Sequence, residues 1–346
     1  MRHRVGAAST AGYLTGLQRA VAGITRDMRF QVVMAKTIGD LMSLRRTIAL
    51  VAGGLVPAVF WSLVVWRETF QADAMSLEMQ TSSLVGLFII ISFLWMAGFY
   101  LAYLVIGISG LELVDREQDK GTLLLMVSKP ISRTQFLLGK FLALVLTSLL
   151  LEAIILPGSI LLFWGLLGLD PDTVAALLKL LPWIFLFSLL VTLVFASLSV
   201  ALSTLVRAYL VRSLVFLLIL VSIFAVGPVL RAAWPSTYEG YHLYYLDGSY
   251  NLGNVYVLLL DQAETGRVTP LYQAWLGITT GAYQAGTEVL LAAFMGGEAF
   301  DPDIGAMPSS LERTTYLPPA VSIGLFLAVA VAAFGVASLA LNRKEL

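Results

Sequence analysis

Cysteine is absent from the chain, and histidine nearly so: only His3 and His242 occur. The first absence excludes a disulfide framework, a thiolate metal site and a cysteine nucleophile. The second leaves no basis for a histidine metal cluster within one chain. Charge is scarce as well. Asp, Glu, Lys and Arg make up 13% of the 346 residues, against 58% hydrophobic residues, and they cancel to a net charge of zero. A soluble domain carries about 25% charged residues, so this chain has too few to cover a globular surface. Zero net charge supplies no electrostatic footprint for nucleic acid. A phosphate-cradling G-x-x-x-x-G-K-[ST] loop is also missing. Gly139-Lys140 continues into Phe141 and lacks the upstream glycine, so the chain cannot hydrolyse ATP unaided. No internal repeat of the kind frequent in secondary transporters is visible.

What is present is a series of long apolar runs, in keeping with a mean hydropathy of +0.85. Six stand out, at Thr47–Trp66, Leu84–Ile108, Phe136–Trp164, Leu180–Leu205, Leu210–Leu230 and Ala320–Leu341. Each approaches or exceeds the roughly 20 residues that cross about 30 Å of hydrocarbon. In lipid the backbone must satisfy its own hydrogen bonds, so the runs are expected to be helices. The fold class expected is an all-α integral membrane protein with six transmembrane helices. Arg2 and Arg4 precede no strong apolar h-region, so residues 1–46 are read as a retained cytoplasmic segment rather than a signal peptide.

Lys and Arg set the orientation. Residues 1–46 hold eight basic residues against Asp27 and Asp40, and the next connection, Arg67–Ser83, holds one basic and three acidic. Arg116, Lys120, Lys129 and Arg133 follow the second run. The connection around Gly165–Lys179 has Asp170, Asp172 and only Lys179. Arg207 and Arg212 mark the next turn, and Arg343 and Lys344 the tail. Between them the loop 231–319 carries three basic and nine acidic residues. The sign alternates at every crossing. This implies four regions: the cytoplasmic segment 1–46; spans one to five at 47–230, with a cytoplasmic segment at 109–135; an extracytoplasmic loop or cap at 231–319; and the sixth span with a basic tail at 320–346. Both termini are expected in the cytoplasm of a bacterial or archaeal cell, and the protein in its cytoplasmic (inner) membrane.

Phe30, Val33, Met34, Ile38 and Leu41 share one helical face ahead of the first span. They predict an amphipathic connecting helix, lying in the membrane interface or packed on protein. Upstream, Leu14, Leu17, Val21, Ile24 and Met28 repeat in a heptad-like way. The long outer loop holds nine of the thirteen tyrosines. Tyr238, Tyr241, Tyr244 and Tyr245 suit a membrane-interface belt or a small folded cap, the belt being favoured over a ligand-binding platform. Residues 271–296 are apolar enough for a re-entrant or surface helix, while Glu288 and the glycines argue against a seventh span.

The most informative stretch runs from Leu111 to Leu144. Glu112 to Lys120 reads as a short, densely charged helix ending at Gly121. Thr122–Val127 is apolar. Ser128-Lys129-Pro130 breaks the chain, and a helix starts from Ile131 with Ser132 or Ser128 as its cap. Glu112, Asp115, Glu117 and Asp119 exceed what a merely positive-inside loop requires. Such a segment, continuous with two spans, suits a push from a soluble partner.

The residues Glu117, Gly121-Thr122, then Ser128-x-Pro130-Ile131-Ser132-Arg133, then Gly139-Lys140 resemble the type-2 ABC export permease family. Six spans, a connecting helix and a basic tail accord with that resemblance; the long last outer loop departs from compact members. The resemblance implies a membrane unit of two copies, or of this chain with a related permease, and an ABC ATPase subunit in two copies. ATP and Mg would bind on that partner, and no cofactor on this chain. Glu112, Asp115, Arg116, Glu117, Asp119, Lys120, Gly121 and Thr122 would form the coupling element, with Arg116 and Glu117 making its polar contacts. Tyr100, Tyr103, Ser213 and Ser222 would face a translocation path between protomers.

Glu152 is the one carboxylate inside an expected span. A charge at bilayer depth is costly, so Glu152 is a candidate for the path as well. The bland alternative is a protonated or hydrogen-bonded glutamate ahead of Pro157. Outside the ABC family, an ion-coupled secondary transporter would need more intramembrane charge than this. A membrane-embedded enzyme would need a catalytic constellation that nothing marks out.

Overall fold

The computed structural model describes residues 31–65, 77–113, 132–263, 270–284 and 311–343. Among these the architecture is all-α, with an isolated antiparallel bridge between Tyr283 and Arg313. A first helix, α1, covers residues 31–41. Six helices are long and apolar enough to cross a bilayer: α2 (Leu44–Leu63), α3 (Gln80–Leu111), α4 (Arg133–Leu167), α5 (Pro171–Leu205), α6 (Tyr209–Ala233) and α10 (Pro319–Arg343). Between α6 and α10 lie α7 (Pro235–Gly240), α8 (Gly248–Asp261) and α9 (Pro270–Thr280). An even number of spans brings α1 and the last turn of α10 to one end of the bundle, here the termini end. Helices α7 to α9 sit toward the other, the loop end.

The six spans agree in number and order with the six apolar runs, but several helices are longer than the runs. Helices α4 and α5 have 35 residues each, about 52 Å at 1.5 Å per residue, well beyond the hydrocarbon thickness. Hydropathy marks where lipid is, whereas caps mark where a helix stops. Gly168 adopts a left-handed conformation (φ 66°) that closes α4. Asp170 accepts from the Thr173 N–H at 3.2 Å to open α5, with Pro171 in the first turn. The connection expected over 165–179 is therefore only residues 168–170. At the termini end α4 begins at Arg133 rather than Ile131. Ser132 and Gln135 form a reciprocal capping box there.

Burial sorts the spans. Helices α3 and α5 are each 72% buried along their most apolar stretch, against 17% for α2 and α6 and 22% for α10. Two central helices are thus ringed by helices whose apolar faces are open to lipid. Close approach needs small residues. A Cβ on Gly110 of α3 would collide with the Ser199 hydroxyl of α5. Within α5, Ser197, Ser199, Ser203 and Thr204 each donate to a carbonyl one turn back, so their hydroxyls are satisfied inside the helix.

Helix α3 winds as a π-helix from Ser92 to Gly107 and leaves helical geometry at Gly98. A side chain at Gly98 would meet the Phe93 carbonyl at 2.7 Å. Within this stretch Tyr100 donates to the Leu50 carbonyl of α2, and Trp95 donates to the Gly53 carbonyl at 3.3 Å. In α1, Val33, Thr37 and Leu41 are buried and Met34 and Ile38 half-buried. Val33 and Leu41 belong to the main hydrophobic core, so of the two sequence readings of this helix, the protein-packed one describes it.

Candidate functional site

Three places in the bundle carry polar chemistry. The first is the junction at the termini end where the expected coupling segment attaches. Glu112 directly follows α3 and is half-buried, with the chain turning through Leu113, whose N–H donates to the Gly110 carbonyl at 3.2 Å. Asp115, Arg116, Glu117, Asp119, Lys120, Gly121, Thr122, Ser128 and Pro130 lie outside the described residues. The part of the motif that is described has a clear architectural role. Arg133 donates to the carbonyls of Leu341 and Asn342 at 3.1 and 3.2 Å, so its cation sits on the carboxyl end of α10. Thr134 and Ser338 share a hydrogen bond at 3.0 Å. Lys140 is buried, with its ammonium 5.4 Å from the centre of the Phe136 ring. The start of α4, the capping box and the end of α10 thus form one joint. Gly139 is buried in α4 beside Lys140.

The second place is near the middle of α4. Glu152 of α4 is fully buried, and neither carboxyl oxygen has a hydrogen-bond partner among the described residues. Ser148, one turn before it, and Ser188 and Thr192 on α5 also hold buried hydroxyls without partners there. Tyr100 is near enough to interact with Glu152 electrostatically, although its hydroxyl is committed to α2. A cavity of about 320 Å³ lies between α4 and α5, bounded by Glu152, Ala153, Leu156, Pro157, Leu181, Pro182 and Phe185. The other residues expected to face a path are dispersed. Tyr103 of α3 and Ser213 of α6 approach to 3.5 Å between their oxygens. Ser222 is exposed on the outer face of α6. Tyr100 points to α2 rather than to α6. The five residues therefore do not line one passage within the chain.

The third place is a folded cap at the loop end, one of the readings the sequence offered, built around residues it did not single out. Asp247 is its hub. One carboxylate oxygen accepts from the N–H groups of Ser249 and Tyr250 at 3.0 and 3.1 Å and from the Ser249 hydroxyl at 2.7 Å, opening α8. The other accepts from Arg231 and, at 2.9 Å, from the Tyr238 hydroxyl. Burial, reinforced by the Asp247 charge, pushes the Tyr238 phenol well above its usual range. Arg231 also donates to Ser249 at 3.0 Å and to the Thr279 carbonyl at 3.3 Å, tying α6, α8 and α9 together.

Rings of Tyr238, Tyr244 and Tyr250 gather around Tyr316, the Tyr244 ring stacking at 5.1 Å. Of the four tyrosines named from the sequence, Tyr238 and Tyr244 thus pack within the cap, while Tyr241 and Tyr245 are 77% and 49% exposed. Helix α8 then runs inward. Tyr256 packs on Phe93 of α3 and Phe187 of α5 at 5.2 and 4.7 Å, and donates to the Ile89 carbonyl at 2.9 Å. Helix α9 follows along α3, where the Tyr272 ring occupies the space a side chain at Gly86 would need. Of the stretch 271–296, the described helical part ends at Thr280. The sequence signal for this cap was Asp247 followed by Gly248 and Ser249, an N-cap pattern lying inside what reads as loop.

Compared with known families, residues 96–346 match the profile described as ABC-2 family transporter protein. No curated protein matches the chain. The matched stretch runs from the middle of α3 through the described motif residues, the cap and α10, and so covers most of the architecture above. The chain belongs to the ABC-2 transporter family, as a multi-pass membrane permease of an ABC transporter.

Proposed function

We propose that this permease exports its substrate, and that the segment from Glu112 to Thr122 is the element on which a partner ATPase acts. The observation that supports this reading most is the joint at Ser132-Arg133. Glu112 follows α3 directly, and the helix start at the far side of the segment is capped at Ser132 and tied to α10 by Arg133. Force reaching these two attachment points would pass into α3, α4 and α10. Arg116 and Glu117 would make the polar contacts with the ATPase, and ATP and Mg would be bound there. ATP binding moves such an equilibrium only by contacting one arrangement of the segment better than the other.

Two permease copies, or this chain with a related one, would carry two ATPase subunits, with substrate passing between protomers beside Tyr103 and Ser213. The charge pattern supports a termini end in the cytoplasm and a cap outside, and the membrane would be a bacterial or archaeal cytoplasmic one.

The chain offers a clean test because it contains no cysteine. Asp119→Cys, carrying a photo-crosslinker and irradiated in native membranes, is expected to capture a soluble chain with a phosphate-binding loop. If a cap label reports correct insertion and no such chain is captured, the coupling role of this segment is wrong.

A further inference from the structure

The crevice between α4 and α5 has a one-sided chemistry. Its walls are apolar: Leu156, Leu181 and Phe185 are hydrocarbon, and Pro157 and Pro182 carry no N–H. The groups in it that can take part in hydrogen bonds are the Glu152 carboxyl and a backbone carbonyl. Both oxygens of Glu152 are without a partner among the described residues. Pro157 removes the N–H that would ordinarily bond to the Ala153 carbonyl four residues back, so a second acceptor borders the same space. No lining side chain is a lysine, arginine, histidine or hydroxyl residue.

The crevice is also reachable from the hydrocarbon. Ala153 and Pro182 are exposed at its edge, and around it Leu150, Ile154, Leu178 and Leu186 present apolar surface. Counted along α4, Glu152 is about 28 Å from Arg133 and about 22 Å from Leu167 at 1.5 Å per residue, near the middle of the helix. Ligand pockets run from about 300 Å³ upward, and this one, about 320 Å³, lies at the small end.

We propose that this crevice is a lateral binding site for a single-chain amphiphile with an ammonium head, taken from the bilayer, the head meeting Glu152 and the Ala153 carbonyl and the chain lying between the two prolines. A buried acceptor without a donor is costly. An ammonium supplies three donors and a compensating charge. An anionic head would supply no such charge and would disfavour ionisation of the carboxyl. The site is separate from the Tyr103–Ser213 contact and involves no residue of the coupling segment.

The test uses the purified full chain in phosphatidylcholine nanodiscs, without nucleotide or ATPase. Dodecylamine with a mid-chain diazirine and the matched diazirine fatty acid are irradiated in parallel and their adducts mapped by mass spectrometry. The amine is expected to label residues of α4 and α5 around Glu152, in competition with unlabelled dodecylamine, about tenfold more than the acid, as one charge-assisted contact implies. Glu152→Gln should reduce the amine adduct to the level of the acid. Ala153→Trp, which fills the mouth and leaves the carboxyl group in place, should do the same, and decides the matter if the first variant does not fold. Equal labelling by amine and acid, or undiminished amine labelling in a folded variant of either kind, overturns the proposal. The result is independent of whether Asp119 captures an ATPase.

Discussion

Arg231 and Asp247 join three helices through one ion pair, and the pair is nearly dry: their side chains are 12% and 3% exposed. Removing one partner from such a pair leaves a buried charge without compensation. Arg231→Met is therefore expected to destabilise the fold by about 3 kcal/mol or more. Arg231→Met combined with Asp247→Asn should recover part of that loss, because the Asn side chain can still accept from the Ser249 and Tyr250 N–H groups. Thermal unfolding of the four proteins in detergent, as a double-mutant cycle, checks both statements.

Asp170 gives a pH dependence of opposite visibility. Its carboxyl is held below the ordinary value of 3.8, chiefly by the Thr173 hydroxyl and then by backbone N–H groups around the cap. A depressed value in the folded state means that the carboxylate contributes stability above the ordinary value. The contribution fades as pH falls through the lower, folded one. The melting-temperature difference between wild type and Asp170→Ala should thus be present at neutral pH and shrink in strong acid. A difference that stays constant down to that range would mean the cap does not act through its charge.

At the scale of elements, the spans and the cap were legible to different degrees. The six spans stand out as plain apolar runs, the buried α3 and α5 as much as the outward-facing α6 and α10. Helix α8 does not, although it is as deeply placed as parts of the spans. Its Asn251, Asn254 and Tyr256 satisfy their polar groups on Tyr244, Leu317, Ser322 and Ile89, so a polar sequence is buried by protein. The ends of α4 and α5 were likewise hidden, because caps at Gly168 and Asp170 determine them. The start of α4 could be read to within two residues, Ser132 having been one of two caps considered. That Arg133 would reach the end of α10 could not be read, since 208 residues separate it from Leu341.

The docking of α9 is the most sharply testable packing. Gly86→Val has nowhere to place its side chain except the space of the Tyr272 ring. Overpacking of this kind costs about 1–3 kcal/mol. Loss of stability is expected, and shortening the ring in Gly86→Val/Tyr272→Leu should restore some of it. If Gly86→Val melts like wild type, α9 is not seated against α3 as described.

For the whole molecule, orientation is the property the charge pattern speaks to most directly, and labelling reads it without reference to transport. Tyr241→Cys places a thiol on an exposed part of the cap, and Asn342→Cys places one at the termini end. In intact cells a membrane-impermeant maleimide is expected to modify the first and to reach the second only after permeabilisation. The reverse pattern would invert every statement about inside and outside, while leaving the bundle unchanged.

The last span also has a consequence for how the chain is made. Helix α10 lies along α5, supplies Ser322 to Asn251 and Asn254 at the loop end, and offers its final carbonyls to Arg133 at the termini end. A ribosome releases these partners only after the first five spans have been threaded into the membrane. Until then the cap and the joint are both waiting, with polar groups unmet at opposite faces of the bilayer. Arrival of α10, and not insertion of the first five spans, is thus the event that closes this bundle, and a chain stopped short of residue 319 would be left conspicuous at both ends of the bundle to the proteases that survey membranes.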